Sequence, residues 1–162
     1  REDLGEQDSR RWAEIIELAI NLKLASDLIE RMLRKVQQQK TSRRRAFSED
    51  GLEELTGLQS QLINNLRLGL TVFLTGDPQS ARQLLREKRR FRAQERRLAH
   101  AHVSRLQRKI TQSIETSSLH LELIADMQRL NSLFCASAYV VLETSETGAL
   151  LLDEMTDTHH SP

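Results

Sequence analysis

The sequence has few of the residues that interrupt helices or build sheets. It contains 6 glycines, 2 prolines and only 4% aromatic residues in 162 positions. Glycine and proline are the strongest helix breakers, whereas leucine, arginine, glutamate and glutamine, which fill much of this chain, favour helices. The composition therefore predicts a helical protein, and the length suits one domain that buries a core.

Four further absences narrow the class of protein. A single cysteine, Cys135, excludes an intramolecular disulfide and fits a reducing compartment. We expect no signal peptide, and no apolar run in the sequence approaches the ~18 residues of a membrane-spanning helix. The net charge is only +1, so no global field directs the chain to nucleic acid or to a membrane. Because the chain begins at Arg1 rather than at a methionine, we expect it to be a piece of a longer protein.

Apolar residues recur every three or four positions and divide the chain into four predicted helices. Their predicted bounds are about 9–39, 48–75, 78–108 and 116–143. In the first of them we expect a buried stripe, made of Trp12, Ile15, Ile16, Ala19, Leu22, Ala25, Ile29, Met32, Leu33 and Val36. Four long helices that each bury one stripe predict an all-α fold, an antiparallel bundle of four long helices.

The connection TGDP marks the boundary between the second and third helices. Gly76 suits a C-terminal cap, Asp77 is a good N-cap, and Pro78 suits the first helical position. We expect the bundle to occupy residues 1–145 and residues 146–162 to form a partly loose tail, in which Leu150 to Leu152 are candidates for docking on the bundle.

Two of the predicted helices carry a similar stretch. NLKLASDLIERM, residues 21–32, can be superposed on HLELIADMQRLN, residues 120–131. Asp27 then meets Asp126, while Lys23 stands where the second stretch has Glu122. Any two amphipathic helices share a leucine pattern, so the informative part of the match is the carboxylate at the same offset.

Together with FSEDGLEEL at 47–55 and AYVVLE at 138–143, these stretches resemble PhoU-like domains. More narrowly, their order is similar to the cytoplasmic C-terminal region of bacterial sodium/phosphate cotransporter family proteins, over roughly residues 10–145. The resemblance implies a regulatory and interaction domain of a sodium-dependent phosphate transporter, involved in phosphate uptake and its control. It implies the membrane transport domain of the same polypeptide, or a second copy in a homodimer, as partner. The implied location is the cytoplasmic face of the inner (plasma) membrane, as the soluble part of a membrane protein.

The same resemblance implies a metal site at the paired carboxylates. The candidate ligands are Asp27, Glu122 and Asp126, and a divalent or iron ion would be the cofactor, although Lys23 replaces one expected acid. The alternative is structural, because carboxylates four residues apart on a helix are common members of salt bridges. No other cofactor is indicated.

A polar stripe interrupts the third predicted helix. Lys88, Glu95 and His102 repeat every seven residues, at positions where leucine would be expected. If buried, these charges must be paired with acids or bases of a neighbouring helix. The alternative is a helix rotated so that the long side chains reach solvent at the edge of the bundle.

Basic residues concentrate in TSRRR, residues 41–45, and in REKRRFRAQERR, residues 86–97. Anionic lipid headgroups, an acidic partner or solvent could face the second stretch. No nucleic-acid module is present, and we expect no specific nucleic-acid partner. No pattern of catalytic residues appears, so we expect no enzymatic activity. Two other functions remain open, namely a free-standing metal-binding helical bundle and a plain helical protein-interaction domain.

Overall fold

The computed structural model describes residues 2–41, 47–107 and 111–145. Four long helices account for nearly all of them, namely α1 (Glu2–Thr41), α2 (Glu49–Thr75), α3 (Pro78–Gln107) and α4 (Thr111–Phe134). After a turn at 135–136, residues 137–145 are helical again. The predicted all-α bundle of four long helices is confirmed. The predicted tail 146–162, with Leu150 to Leu152, and most of TSRRR lie outside the described residues.

The connection between α2 and α3 has the predicted caps. Gly76 adopts a left-handed backbone with φ of 63°, and its N–H donates to the carbonyl of Val72 at 2.9 Å. The Asp77 carboxylate accepts from the backbone N–H and the hydroxyl of Ser80 at 2.9 and 2.6 Å. Both hydrogen bonds lower the pKa of Asp77, and the bond from the hydroxyl has the larger effect. The caps end one helix and start the next within two residues, which brings α3 back along α2.

Helices α2 and α4 form the centre of the bundle and run parallel to each other. Gly51, near the start of α2, lies beside His120 in the first half of α4, and Gly69 lies beside Phe134 toward the end of both helices. Helix α3 packs against both, whereas α1 packs mainly against α4. The central pair therefore separates α1 from α3.

The core consists of two clusters. The larger contains buried residues from all four helices, namely Ala25, Leu28, Leu55, Leu58, Leu62, Phe91, Leu123, Ile124, Met127 and Leu130. The smaller lies where α2 ends and α3 begins, and its buried residues are Val72, Ala81, Leu84, Cys135 and Ala138. Helix α1 contributes to the first cluster only.

The predicted stripe of α1 is only partly buried. Ala25 is buried, and Met32 and Val36 are half-buried against α4, as expected. The stripe prediction was wrong for its remaining large apolar residues, which are exposed: Trp12, Ile15, Ile16, Leu22, Ile29 and Leu33. The reason is that apolar residues cover more of the circumference of α1 than its one main neighbour can bury.

Helix α4 is interrupted where a single helix was expected. The N–H groups of Ala136 and Tyr139 bond to carbonyls three residues back, at 3.4 and 3.2 Å, rather than four. At this point the Phe134 carbonyl turns toward α2, where a Cβ added to Gly69 would lie 2.2 Å from it. The Ser137 hydroxyl also donates to the Gly69 carbonyl at 3.1 Å. The absence of a side chain at Gly69 thus allows α2 and α4 to approach closely.

Candidate functional site

Asp126 is a buried carboxylate among three basic side chains. Its side chain is 3% exposed and lies on the face of α4 that meets α1. It accepts from Arg31 at 3.3 Å, from Lys35 at 3.4 Å and from Arg129 at 3.1 Å. The cations themselves remain partly in solvent, so the carboxylate is neutralised without full burial of its partners.

Glu122 lies one turn earlier and shares Lys35 with Asp126. The Lys35 ammonium is 2.8 Å from the Glu122 carboxylate, and the Ser118 hydroxyl donates to the same carboxylate at 3.0 Å. The hydrogen bond to Glu122 raises the pKa of Lys35, and the hydrogen bond from Lys35 lowers the pKa of Glu122. Glu122 and Asp126 therefore act as acceptors that hold the second half of α1 on α4.

Asp27 is not brought to the other two carboxylates. Its side chain is 55% exposed and accepts at 2.7 Å from Lys23, one turn away on α1. Residues described by the structure include no group of three or more His, Cys, Asp or Glu placed to hold a metal ion. Cations already occupy the approaches to Asp126 and Glu122, so a metal ion would have to displace them. The site predicted at Asp27, Glu122 and Asp126 stays a prediction.

The three polar residues of α3 named above, Lys88, Glu95 and His102, have different surroundings. Lys88 is half-buried, and its ammonium lies 3.2 Å from the Tyr139 hydroxyl and 4.8 Å from the ring centroid. Glu95 is half-buried, whereas His102 is buried with 2% exposure. The structure does not gather the three into one site, because residues seven apart on a helix lie about 10 Å apart along its axis.

His102 belongs to a buried cluster that the sequence did not reveal. Its ring stacks on that of His120, with centroids 5.0 Å apart and planes 9° apart, and Phe47 packs edge-on against His120. His102 Nε2 lies 2.7 Å from the Ser117 hydroxyl, and His120 Nε2 lies 3.1 Å from the Glu54 carboxylate. The cluster joins α2, α3 and α4. Because the two histidines are only 2% exposed, it offers no opening to a substrate.

A buried amide pair joins the second half of α2 to the last turn of α4. The Asn65 amide donates to the Asn131 side-chain oxygen at 2.7 Å, and both residues are buried. The Cys135 thiol lies 3.8 Å from the same oxygen, and burial raises the pKa of this thiol to about 12. Cys135 is therefore a packed thiol that does not ionise near neutral pH.

A cleft of about 330 Å³ lies between the first half of α1, the end of α2 and residues 137–145. Its apolar lining includes Leu18, Leu22, Leu70, Phe73 and Val140. Arg11 stands at its edge, where its guanidinium lies 4.4 Å from the Phe73 ring centroid and 2.8 Å from the Glu14 carboxylate. An apolar cleft whose lining cation is already paired is not suited to an anion such as phosphate.

None of the helices, over the residues described, combines the length and the apolar character that crossing a bilayer requires.

Known proteins that are similar to this chain have names that refer to inorganic phosphate. It is 58% identical over 143 residues to the protein of Escherichia coli (strain K12) named "Putative inorganic phosphate export protein YjbB". It is 57% identical over 143 residues to the protein of the same name in Salmonella typhimurium (strain LT2). Each match covers 88% of this chain and 26% of the relative, so the chain spans about a quarter of the length of these curated relatives. Neither a family model nor a solved structure matches.

The relatives agree with the resemblance in part. They are named for inorganic phosphate, as the resemblance implied, but their name gives export where the resemblance implied uptake. The chain is therefore similar to a quarter of the length of proteins named for phosphate export.

Proposed function

We propose that the chain is a helical regulatory and docking region of an inorganic phosphate transport protein. The observation that carries this proposal is the 58% identity over 143 residues to proteins named for phosphate export. Because the match covers only 26% of those proteins, transport itself would be performed by the part of the polypeptide outside the match. This region would then act by binding to that part.

The outer face of α1 supports a docking role. We call the apolar face the exposed residues Trp12, Ile15, Ile16, Ile20, Leu22, Leu24, Ile29 and Leu33. So many exposed large apolar side chains on one helix mark a surface that another protein covers. We propose the transport domain of the same polypeptide as the occupant, because the relatives have about three quarters of their length beyond the matched region. A second copy of the chain is the competing occupant.

The finer assignment follows the sequence resemblance. The region would be PhoU-like, carried by a protein of the sodium/phosphate cotransporter type at the cytoplasmic face of the inner membrane. The direction of transport would be export, in keeping with the name of the relatives. Sodium coupling and a regulatory role are part of this proposal.

A transport assay tests the proposal. Cells that express the full-length protein are loaded with labelled phosphate, and its release is measured with and without sodium. We expect faster release than in cells without the protein. A full-length protein that leaves phosphate release and uptake unchanged would overturn the proposal.

The docking surface is tested in the same assay. A variant with Trp12, Ile16 and Ile20 changed to serine should change the release rate while the protein still reaches the membrane. The matched control changes three exposed apolar residues of other helices, Leu52, Leu74 and Val103, to serine. Equal effects of both variants would count against a specific α1 surface. A stable dimer of the 162-residue chain that the α1 variant dissociates would assign the surface to a second copy.

A further inference from the structure

The outer face of α3 is a continuous arginine surface. The arginine face consists of seven exposed residues: Arg82, Arg86, Arg89, Arg90, Arg92, Arg96 and Arg97. They extend over 15 helical steps, or about 22 Å. The opposite side of the same stretch carries the buried residues Ala81, Leu84 and Phe91. Packing therefore fixes which side of α3 faces outward, and that side is basic.

Few acids balance this charge. Glu87 and Glu95 are half-buried. Within the described part of the chain, Arg90 is the one member of the arginine face that forms an ion pair, with Glu87 at 2.8 Å. Arg82 has a weaker electrostatic interaction with Asp77 at the start of the helix. The face thus presents a row of guanidinium groups to solvent, at a cost in mutual repulsion that a polyanion would relieve.

The shape and chemistry of the face favour one kind of polyanion. An exposed helix flank is convex, so it cannot enclose a single free anion as a cleft does. Proteins that bind single-stranded nucleic acid stack bases on aromatic rings, but the aromatic residue of this stretch, Phe91, is fully buried. A bilayer with anionic lipids offers a flat, dense array of phosphate groups, and guanidinium binds phosphate with paired hydrogen bonds.

We infer that the arginine face of α3 binds the phosphate headgroups at the surface of an anionic phospholipid bilayer. This inference rests on the proposed function, which puts the chain next to a membrane. The central pair α2 and α4 separates the arginine face from the apolar face of α1. The bundle can therefore lie on the bilayer through α3 while α1 remains open to a protein partner.

Vesicle binding by the 162-residue chain tests the inference. Vesicles of equal parts phosphatidylglycerol and phosphatidylcholine are compared with vesicles of phosphatidylcholine alone. We expect binding to the anionic vesicles only, weakening as salt rises because the charges are screened. Each basic residue near such a surface strengthens binding about fivefold, so a variant with Arg86, Arg89 and Arg97 changed to glutamine should bind roughly 100-fold more weakly.

The control removes the same charge from elsewhere. Arg10, Arg34 and Arg67 are exposed arginines of α1 and α2, and their change to glutamine should alter vesicle binding only a few-fold. Equal losses in both triple variants would show a response to net charge and would overturn the inference. Absence of binding to anionic vesicles would overturn it as well. So would preferential binding to duplex DNA, or displacement from vesicles by inorganic phosphate at unchanged ionic strength.

The vesicle experiment and the transport assay can contradict the lipid inference and the proposed function independently of each other. A chain that does not bind vesicles, in a full-length protein that still moves phosphate, removes the lipid inference and leaves the proposed function. A chain that binds anionic vesicles through the arginine face, in a full-length protein that moves no phosphate, overturns the proposed function but keeps a lipid-binding bundle.

Discussion

Asp27 in α1 and Asp126 in α4 occupy the same position of two similar stretches, but their surroundings differ. The Asp27 side chain is 55% exposed and pairs with Lys23 on its own helix. The Asp126 side chain is 3% exposed and pairs with Arg31 and Lys35 across the helix interface. One pattern thus gives a surface ion pair in one helix and an interhelical contact in the other.

The leucines show the same contrast. Leu24 of α1 is 51% exposed, whereas Leu123, which aligns with it, is 4% exposed. Ala25 and Ile124, one position further on, are both buried at 3%. The difference follows from the number of neighbours, because α4 packs against all three other helices and α1 mainly against one. Position in the bundle, more than the local pattern, decides what these residues contribute.

The close approach of Gly69 of α2 to Phe134 of α4 gives the largest expected effect on stability. Gly69→Ala would place a Cβ 2.2 Å from the Phe134 carbonyl, so α2 and α4 would have to move apart. We expect the free energy of unfolding, measured by urea denaturation, to fall by about 3 kcal/mol.

Gly57→Ala is the matched control in the same helix. A Cβ there would lie 3.7 Å from a flexible Gln94 side chain, so the better helix propensity of alanine should raise stability by about 0.5 kcal/mol. If both variants gained stability, the close approach of α2 to α4 would be wrong.

Alanine substitutions at the two aligned leucines should differ in their effect on stability nearly as much as the two glycine substitutions do. Leu123→Ala leaves a cavity in the core and should lower the free energy of unfolding by about 3 kcal/mol. Leu24→Ala removes an exposed side chain and should change it by about 0.5 kcal/mol or less. Similar losses in chemical denaturation would mean that α1 is covered in solution, as a dimer through its apolar face would cover it.

The aligned aspartates should follow with smaller effects. Asp126→Asn removes the charge that three cations share, and since those cations can turn to solvent, we expect a loss of about 2 kcal/mol. Asp27→Asn breaks an exposed pair and should cost about 0.5 kcal/mol or less. The two variants also test the predicted metal site, because a site that includes both residues would lose bound metal in either variant.

The smallest expected effect concerns acid stability. The pKa of Glu122 is lowered from its usual 4.5 in the folded protein, chiefly by the hydrogen bond from Lys35. The resulting stabilisation is present above that value and is lost as the pH falls through the lowered pKa, because the unfolded chain takes up the proton first. The Tm of Glu122→Gln should therefore fall less than that of wild type between about pH 7 and about pH 3.

Lys35→Gln is the control for this pH dependence, because it removes the partner and leaves the acid. Its Tm should respond to acid more weakly than that of wild type, because the hydrogen bond that lowers the pKa of Glu122 most is lost. A wild-type response in either variant would show that another carboxylate causes the acid sensitivity.

Local chemistry explains why parts of the fold could be predicted. The boundary at Gly76, Asp77 and Pro78 depends only on the backbone preferences and side-chain hydrogen bonds of neighbouring residues, and the structure has the caps at Gly76 and Asp77. The side of α1 that is buried could not be predicted, because its apolar residues surround the helix and any of several faces could meet α4. The interruption after Phe134 depends on Gly69, which is 65 positions away in the sequence.

The buried histidine cluster could not be predicted from local sequence either. Spacing suggested a role for His102, but its neighbour His120 and the Glu54 carboxylate come from two other helices. Their meeting depends on the register between helices, which one sequence does not specify. His120 precedes Ile124 by one turn, and this placement on the buried side of α4 was the available signal.

The uneven contribution of α1 to the core implies that its two halves do not open together. Residues of the first half of α1 belong to neither cluster, while the second half is held by Ala25, Leu28 and the Asp126 ion pairs. Amide hydrogens before about residue 20 should therefore exchange through local opening, at a much lower free energy than those of α4. The end of the molecule that carries Trp12 should then fray from the cleft while the second half of α1 and the other three helices stay folded, so that only the first half of α1 acts as a movable arm.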